Sequence, residues 1–194
     1  MKNLFVLSLG LVVALAVGGV ATADEAAKKE LKSGPQTGDS LGAFYVTKIA
    51  GAEEDGIEQG QNLCYRCKNG RRPQVVVFTR STSPKVAQLV RKLDKAVADN
   101  ASSKLCVFVN FLGDDKEEVS DEAEKFAARS KAKNVPFVVP NEFENGPDNY
   151  GINSKAEITI TLASDANVKA THAFASAKDM DVASVLNDIN KILE

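Results

Sequence analysis

The sequence contains few histidines and cysteines, two of the residue types from which catalytic and metal sites are often built. It has one histidine, His172, and three cysteines, Cys64, Cys67 and Cys106. No partner motif accompanies His172, which disfavours a hydrolase. Zinc prefers four ligands and Cys64 with Cys67 supplies two, which disfavours a metal site. No glycine-rich phosphate motif is present, and Lys68 stands where covalent haem attachment needs a histidine, so the sequence predicts no cofactor.

Long apolar runs are absent after residue 23, where no stretch approaches the ~18 residues that a membrane-spanning helix needs. Residues 1–23 instead combine an early lysine, an apolar stretch and the sequence ATA, which predicts a cleaved signal peptide rather than an anchor. We expect a mobile N-terminal arm over residues 24–37, one domain over 38–194, and a periplasmic or extracellular location. The chain carries a formal charge of −2 and no basic face with interleaved aromatics. Neither nucleic acid nor, after cleavage, a membrane is therefore an expected partner.

Strand-like and helix-like segments alternate along the rest of the chain. β-rich or continuous apolar runs predict strands within residues 38–51 and at residues 74–78, 105–112, 134–139, 156–163 and 168–174. Apolar residues at helical spacing predict helices at residues 84–98, 119–132 and 179–193, and Ser83 is predicted to cap the first of them. A tight hairpin turn is predicted at residues 164–167. This order predicts an α/β fold with a central mixed sheet flanked by helices.

Three short motifs lie along this order. Residues 38–44 read GDSLGAF, residues 150–152 read YGI ahead of a predicted strand, and residues 134–136 read NVP. The first resembles the G-D-x-x-P-x-F opening of redoxins, with Gly42 in place of proline, and the second resembles the Y-G-I approach to the penultimate strands of thioredoxins. The chain thus resembles the thioredoxin-like superfamily, in its redoxin and peroxiredoxin branch, over roughly residues 34–194. The resemblance implies a three-layer thioredoxin-like sandwich with an N-terminal β arm.

Two departures from that family concern its active site. In thioredoxins the catalytic CxxC follows the first core strand and begins the next helix, where the helix N-terminus stabilises a thiolate. The corresponding turn here, residues 81–84, reads STSP and contains no cysteine, which also disfavours a peroxidase. The loop at residues 153–157 contains no proline where thioredoxins carry a cis-proline. The catalytic residues of the family therefore have no counterparts at their usual positions.

The remaining candidate site is the pair Cys64 and Cys67 in the stretch LCYRCKNGRRP, which also occurs in exported bacterial thioredoxin-like proteins that this chain resembles. In an oxidising compartment these two cysteines are expected to form a disulfide, leaving Cys106, in an apolar run, as a core residue. Arg66, Lys68 and Arg71 surround the pair with positive charge that favours a thiolate and makes the disulfide more oxidising.

Two functions remain open for this pair. The first is thiol–disulfide exchange with a thiol or disulfide of a partner protein; from the order of sulfurs in related enzymes, Cys64 would be the accessible, attacking sulfur and Cys67 the resolving one. The second is a stabilising disulfide in a non-catalytic binding or structural protein. In that case the cations form a solvated turn that faces the acidic segment at residues 53–55.

Overall fold

A computed structural model describes residues 31–193; the predicted signal peptide and residues 24–30 of the predicted arm lie outside this range. The strands are β1 Val46–Ala50, β2 Asn62–Leu63, β3 Gln74–Thr79, β4 Cys106–Phe111, β5 Phe137–Pro140, β6 Ile158–Ser164 and β7 Asn167–Phe174. The helices are α1 Tyr65–Asn69, α2 Pro84–Asp99, α3 Lys116–Ser130, α4 Val182–Asn187 and α5 Asn190–Leu193. Short 3-10 turns occur at Glu53–Asp55, Ala101–Ser103, Asp148–Tyr150 and Ala177–Asp179.

All seven strands form one mixed sheet in the order β2-β1-β5-β4-β3-β6-β7. Strands β3, β4 and β5 are parallel because helices α2 and α3 connect them, whereas β1, β6 and β7 run antiparallel to their neighbours. Both crossovers step in the same direction across the sheet, so right-handed connections place α2 and α3 on the same face. The predicted mixed sheet, parallel in its first half and antiparallel at its late hairpin, is confirmed.

The two faces of the sheet are covered differently. On the first face, α2, α3, α4 and α5 bury a large apolar cluster that includes Val75 and Val77 of β3 and Leu89 of α2. On the second face, Phe78 and Phe108 lie under a smaller cluster formed by α1, the segment before β1 and the loop before β6. The short helix α1 and the long helix α2 therefore lie on opposite sides of the sheet.

The end of the predicted mobile arm packs on the sheet. Ser33 is buried, and its hydroxyl lies 2.6 Å from the hydroxyl of Thr159 in β6. The amide of Gly34 donates to the carbonyl of Gly151 at 3.2 Å, and the hydroxyl of Thr171 donates to the carbonyl of Pro35. The folded part of the chain therefore begins before residue 38. The sequence did not reveal this, because polar contacts of this kind leave no apolar periodicity.

The C-terminal helix predicted over residues 179–193 is interrupted. It is found as α4 and α5, with a turn at Asp188 where the amide of Lys191 donates to the carbonyl of Asp188 at 3.0 Å. The Asp188 carboxylate also contacts Nε2 of His172 at 3.0 Å and Nζ of Lys191 at 2.8 Å. These contacts hold residues 188–191 in a turn that is tighter than a turn of α-helix. The sequence predicted one continuous helix because its apolar stripe continues through this turn.

The hairpin turn predicted at residues 164–167 is confirmed. Ser164 pairs with Asn167, and the two residues between them, Asp165 and Ala166, have φ angles of 53° and 63°. Positive φ at both central positions is the pattern of a type I′ turn, which matches the twist of a two-strand hairpin and favours Asp-Gly. Alanine at the second central position therefore carries backbone strain.

Replacing Ala166 by glycine is expected to raise the free energy of unfolding by about 0.5–1 kcal/mol, because glycine adopts the left-handed region without the Cβ clash that alanine has there. Urea unfolding followed by circular dichroism measures the change. Ala170→Gly, at a buried position inside β7, is the matched control and is expected to lower the free energy of unfolding. A loss of stability in Ala166→Gly similar to that of the control would contradict the prediction.

Candidate functional site

Cys64 and Cys67 form a disulfide at the start of α1. Their Cα atoms are 5.2 Å apart, within the usual range for disulfides. Cys64 is the residue that precedes the helix in extended conformation, and its sulfur accepts a hydrogen bond from the amide of Cys67 at 3.0 Å. Gly70 ends the helix by donating to the carbonyls of Arg66 and Cys67. A five-residue helix has too few turns to show periodicity, so the sequence did not reveal it.

The two cysteines differ in exposure. Cys64 is 8% exposed, because the preceding Leu63 pairs with Val46 in the sheet and the following Tyr65 packs inward, whereas Cys67 is exposed. This is the reverse of the predicted order, in which Cys64 was the accessible sulfur. An external thiol therefore meets Cys67 first.

Tyr65, between the two cysteines, anchors α1 to the second face of the sheet. Its ring stacks on Phe108 of β4 at a centroid distance of 5.7 Å, and its hydroxyl donates to Oδ2 of Asp55 at 2.6 Å. Burial raises the pKa of Tyr65 above its ordinary value, and the neighbouring Asp55 carboxylate raises it further. The tyrosine thus stays protonated as a hydrogen-bond donor.

Asp55 receives a second contact from a buried lysine. Lys48, 3% exposed in β1, donates to Oδ1 of Asp55 at 2.8 Å and to the carbonyls of Ala52 and Ile57 at 3.0 and 2.8 Å. Asp55, from the acidic segment predicted to face the site cations, therefore faces Lys48 and Tyr65 instead. Sequence reasoning missed Lys48, although its place two residues after Val46 on the inward side of a strand was a detectable signal.

The arginines predicted to support the pair are largely engaged elsewhere. Nε of Arg66 donates to the carbonyl of Leu41 at 2.9 Å, and Nε of Arg71 pairs with Asp165 at 2.9 Å. Lys68 is exposed, and its side chain makes no hydrogen bond within residues 31–193. Their positive charge thus lies in the same segment as the pair, and within residues 31–193 none of these groups makes a hydrogen bond to a sulfur atom.

Cys106 was predicted to be a core residue, but it is less buried than that. It is half-buried at the first position of β4, beside Gln74 of β3, and its thiol donates to the carbonyl of Lys104 at 3.3 Å. Burial raises the pKa of the Cys106 thiol, and the nearby charges of Arg72 and Lys68 oppose that change. The third cysteine therefore lies near the C-terminal end of α1, with its thiol form favoured.

The turn that holds the cysteines of thioredoxins is filled by hydroxyl groups here. Ser83 precedes α2, but its hydroxyl is buried without a hydrogen-bond partner in the described residues. The prediction that this hydroxyl caps the helix is therefore wrong. The amide of Ser83 donates to Oγ of Ser81. Burial acts to raise the pKa of Glu157, but hydrogen bonds from Ser81 and from the amide of Ala177 outweigh it and lower that pKa. Peptide bonds within residues 31–193 are all trans.

His172 has a structural partner. Its Nε2 lies 3.0 Å from Asp188 at the turn between α4 and α5.

Across residues 31–193, no three side chains of histidine, cysteine, aspartate or glutamate are grouped so that they could hold a metal ion. Over the same residues, no helix has the length and apolar character required to cross a membrane.

Comparison with known proteins shows the fold. No protein-family profile and no curated protein sequence matches the chain. Among solved structures, it is similar to a protein assigned as the thiol:disulfide interchange protein DsbE from Chlorobium tepidum (18% identity, TM-score 0.58, 82% of this chain and 99% of that one). It is also similar to AhpC of Mycobacterium tuberculosis (14% identity, TM-score 0.56, 81% and 97%).

A third similar structure is a protein assigned as a protein disulfide isomerase from Bacteroides thetaiotaomicron (12% identity, TM-score 0.58, 84% of this chain and 94% of that one). At such identities the similarity establishes the fold and not the activity. The chain therefore has a thioredoxin-like fold like that of redoxins and peroxiredoxins, as its motifs indicated, with its CxxC displaced to the opposite face of the sheet from α2.

Replacing Tyr65 by phenylalanine is expected to lower the free energy of unfolding by about 1–3 kcal/mol, because it leaves an oxygen of the partly buried Asp55 carboxylate without its donor. Chemical unfolding of the oxidised protein measures the change. Tyr45→Phe removes the same hydroxyl from a side chain that is 56% exposed, and it should change the stability by less than about 0.5 kcal/mol. Equal effects of the two variants would show that the Asp55 contact contributes nothing.

Proposed function

We propose that the chain is a thiol–disulfide oxidoreductase that exchanges disulfides with a partner protein through Cys64 and Cys67. The observation that carries the proposal is the arrangement of the pair: an exposed Cys67 disulfide-bonded to a buried Cys64 whose sulfur already accepts an amide hydrogen bond. Such a pair offers one sulfur to an incoming thiolate and holds the other as a leaving group.

The exchange is balanced as follows. A thiolate of the partner attacks Sγ of Cys67, a new disulfide forms between partner and Cys67, and the Cys64–Cys67 bond breaks with its electron pair on Sγ of Cys64. The Cys67 amide then donates to a thiolate, a stronger acceptor than a disulfide sulfur. A second partner thiolate attacks the partner's sulfur, and Cys67 leaves as a thiolate. The partner is oxidised to a disulfide, and the pair is reduced; the reverse sequence reduces a partner.

Two further observations support the proposal. Arg66, Lys68 and Arg71 belong to the same segment as the pair, and positive charge near a cysteine favours its thiolate form and a more oxidising disulfide. Several structurally similar proteins carry names that denote thiol or disulfide chemistry. The proposal includes export, as residues 1–23 predict, because a disulfide persists in an oxidising compartment.

A second candidate is a non-catalytic protein in which the disulfide stabilises α1. It is favoured by the anchoring of Tyr65 and by the absence of a cysteine from the turn before α2. The two candidates differ in one measurable property: whether the disulfide is reduced while the protein stays folded.

The deciding experiment is a titration of the mature protein in a glutathione redox buffer, with thiol trapping and circular dichroism at each point. Cys106→Ser removes the third thiol from the assay. The proposal predicts that Cys64 and Cys67 are reduced and reoxidised together while the far-ultraviolet spectrum stays that of the folded protein. A pair that stays oxidised until the protein unfolds would overturn the proposal in favour of the stabilising disulfide.

The roles of the two sulfurs are tested by single variants in the same background. Cys64→Ser leaves Cys67, and Cys67→Ser leaves Cys64. We expect Cys67 to form a mixed disulfide with glutathione disulfide at least about tenfold faster than Cys64, because an attacking thiolate must be accessible. Mass spectrometry of quenched samples measures both rates, and thermal unfolding checks that both variants are folded. A faster reaction of Cys64 would restore the order predicted from the sequence.

A further inference from the structure

The segment that carries the pair has a marked imbalance of charge. Residues 62–73 contain four cations, Arg66, Lys68, Arg71 and Arg72, and no acidic residue, whereas the whole chain is negative at −2. The stretch that carries the exposed Cys67 therefore contributes only positive charge from its own side chains. A charge distribution of this kind attracts oppositely charged partners and raises their rate of encounter.

Contacts place two of these cations, Lys68 and Arg72, near each other and near Lys104. Nη2 of Arg72 donates to the carbonyl of Lys68 at 2.9 Å, and the charges of both residues act on the thiol of Cys106. That thiol also contacts the carbonyl of Lys104, whose side chain is exposed. We define the basic surface as the exposed Lys68 and Lys104 with the half-buried Arg72, together with Arg66 and the exposed Arg71 of the same segment.

Little of this charge is compensated within residues 31–193. Among the five residues of the basic surface, Arg71 alone forms an ion pair there, with Asp165, at a site where the Arg71 side chain is 84% exposed. An exposed pair of this kind is weak and is readily exchanged for another carboxylate. The basic surface can therefore bind acidic groups in solution.

We propose, resting on the function proposed above, that the preferred substrate is a polypeptide whose reacting cysteine is flanked by acidic side chains. Cys67 is exposed and lies immediately before Lys68. Carboxylates within two or three residues of the substrate cysteine would meet the basic surface while its sulfur meets Cys67. We propose a polypeptide rather than another anion, because the reaction at Cys67 requires a thiol or disulfide on the molecule that carries the acidic groups.

The test uses three synthetic peptides of equal length, each with one central cysteine flanked by glutamates, serines or lysines. Each reacts with the oxidised protein in the Cys106→Ser background, and mass spectrometry of acid-quenched samples measures mixed-disulfide formation. Rates are divided by the thiolate fraction of each peptide, because acidic neighbours raise the pKa of the peptide thiol. The rates with oxidised glutathione provide the reference for intrinsic reactivity.

At low ionic strength the acidic peptide is expected to react about tenfold faster per thiolate than the basic one, and 0.5 M NaCl should remove most of that difference. Lys68→Glu should reduce the preference for the acidic peptide at least threefold. Lys92→Glu makes the same charge change at an exposed position of α2, on the other side of the sheet, and should leave the preference unchanged.

Equal rates for the acidic and basic peptides at low salt, or a preference that Lys68→Glu and Lys92→Glu reduce equally, would overturn this inference. Either result leaves the proposed function standing, since exchange itself would still occur. A disulfide that reacts with none of the peptides and resists the redox titration would overturn the proposed function and this inference together.

Discussion

The site depends on one buried interaction, between Lys48, Asp55 and Tyr65. A lysine that is almost fully buried is tolerated only when its charge is paired and its protons find acceptors, and Asp55 with two loop carbonyls supplies both. Because Lys48 needs these acceptors, the loop after β1 folds back onto the strand. The remaining oxygen of Asp55 then fixes the hydroxyl of Tyr65, so a strand, a loop and the helix that carries the disulfide are positioned by one set of contacts.

The thioredoxin-like fold offers its chemistry at the N-terminus of the helix after the first core strand, and this chain uses that position differently. The sixteen-residue α2 begins beside Ser81, whose hydroxyl accepts from the amide of Ser83 and bonds to the Glu157 carboxylate. Its positive dipole end therefore does not act on the sulfurs, which lie across the sheet. What lies close to the pair is one amide hydrogen bond and a cationic segment.

Much of the fold could be predicted from the sequence, because the apolar patterns of strands β3 to β7 and of helices α2 and α3 extend over enough residues to be recognised. The tight hairpin turn at residues 164–167 was predicted from a short polar turn between two such runs, whereas its type I′ conformation was found only in the structure. The site was predicted only as a pair of cysteines. Which sulfur is exposed depends on Leu63 pairing with Val46 and on Tyr65 stacking against Phe108, contacts between residues far apart in sequence that a local pattern does not encode. Cys106 was misplaced because the apolar run that predicted its strand does not show that this one position, at the end of β4, is only half-buried.

The amide contact between Cys67 and the sulfur of Cys64 has a consequence for the helix itself. A disulfide sulfur is a weak acceptor and a thiolate is a strong one, so the same hydrogen bond is strengthened when the pair is reduced. Breaking the covalent link removes a constraint, while the new charge tightens the first turn of α1. The backbone amide of Cys67 is therefore expected to exchange with solvent more slowly when Cys64 is a thiolate than when it is part of the disulfide.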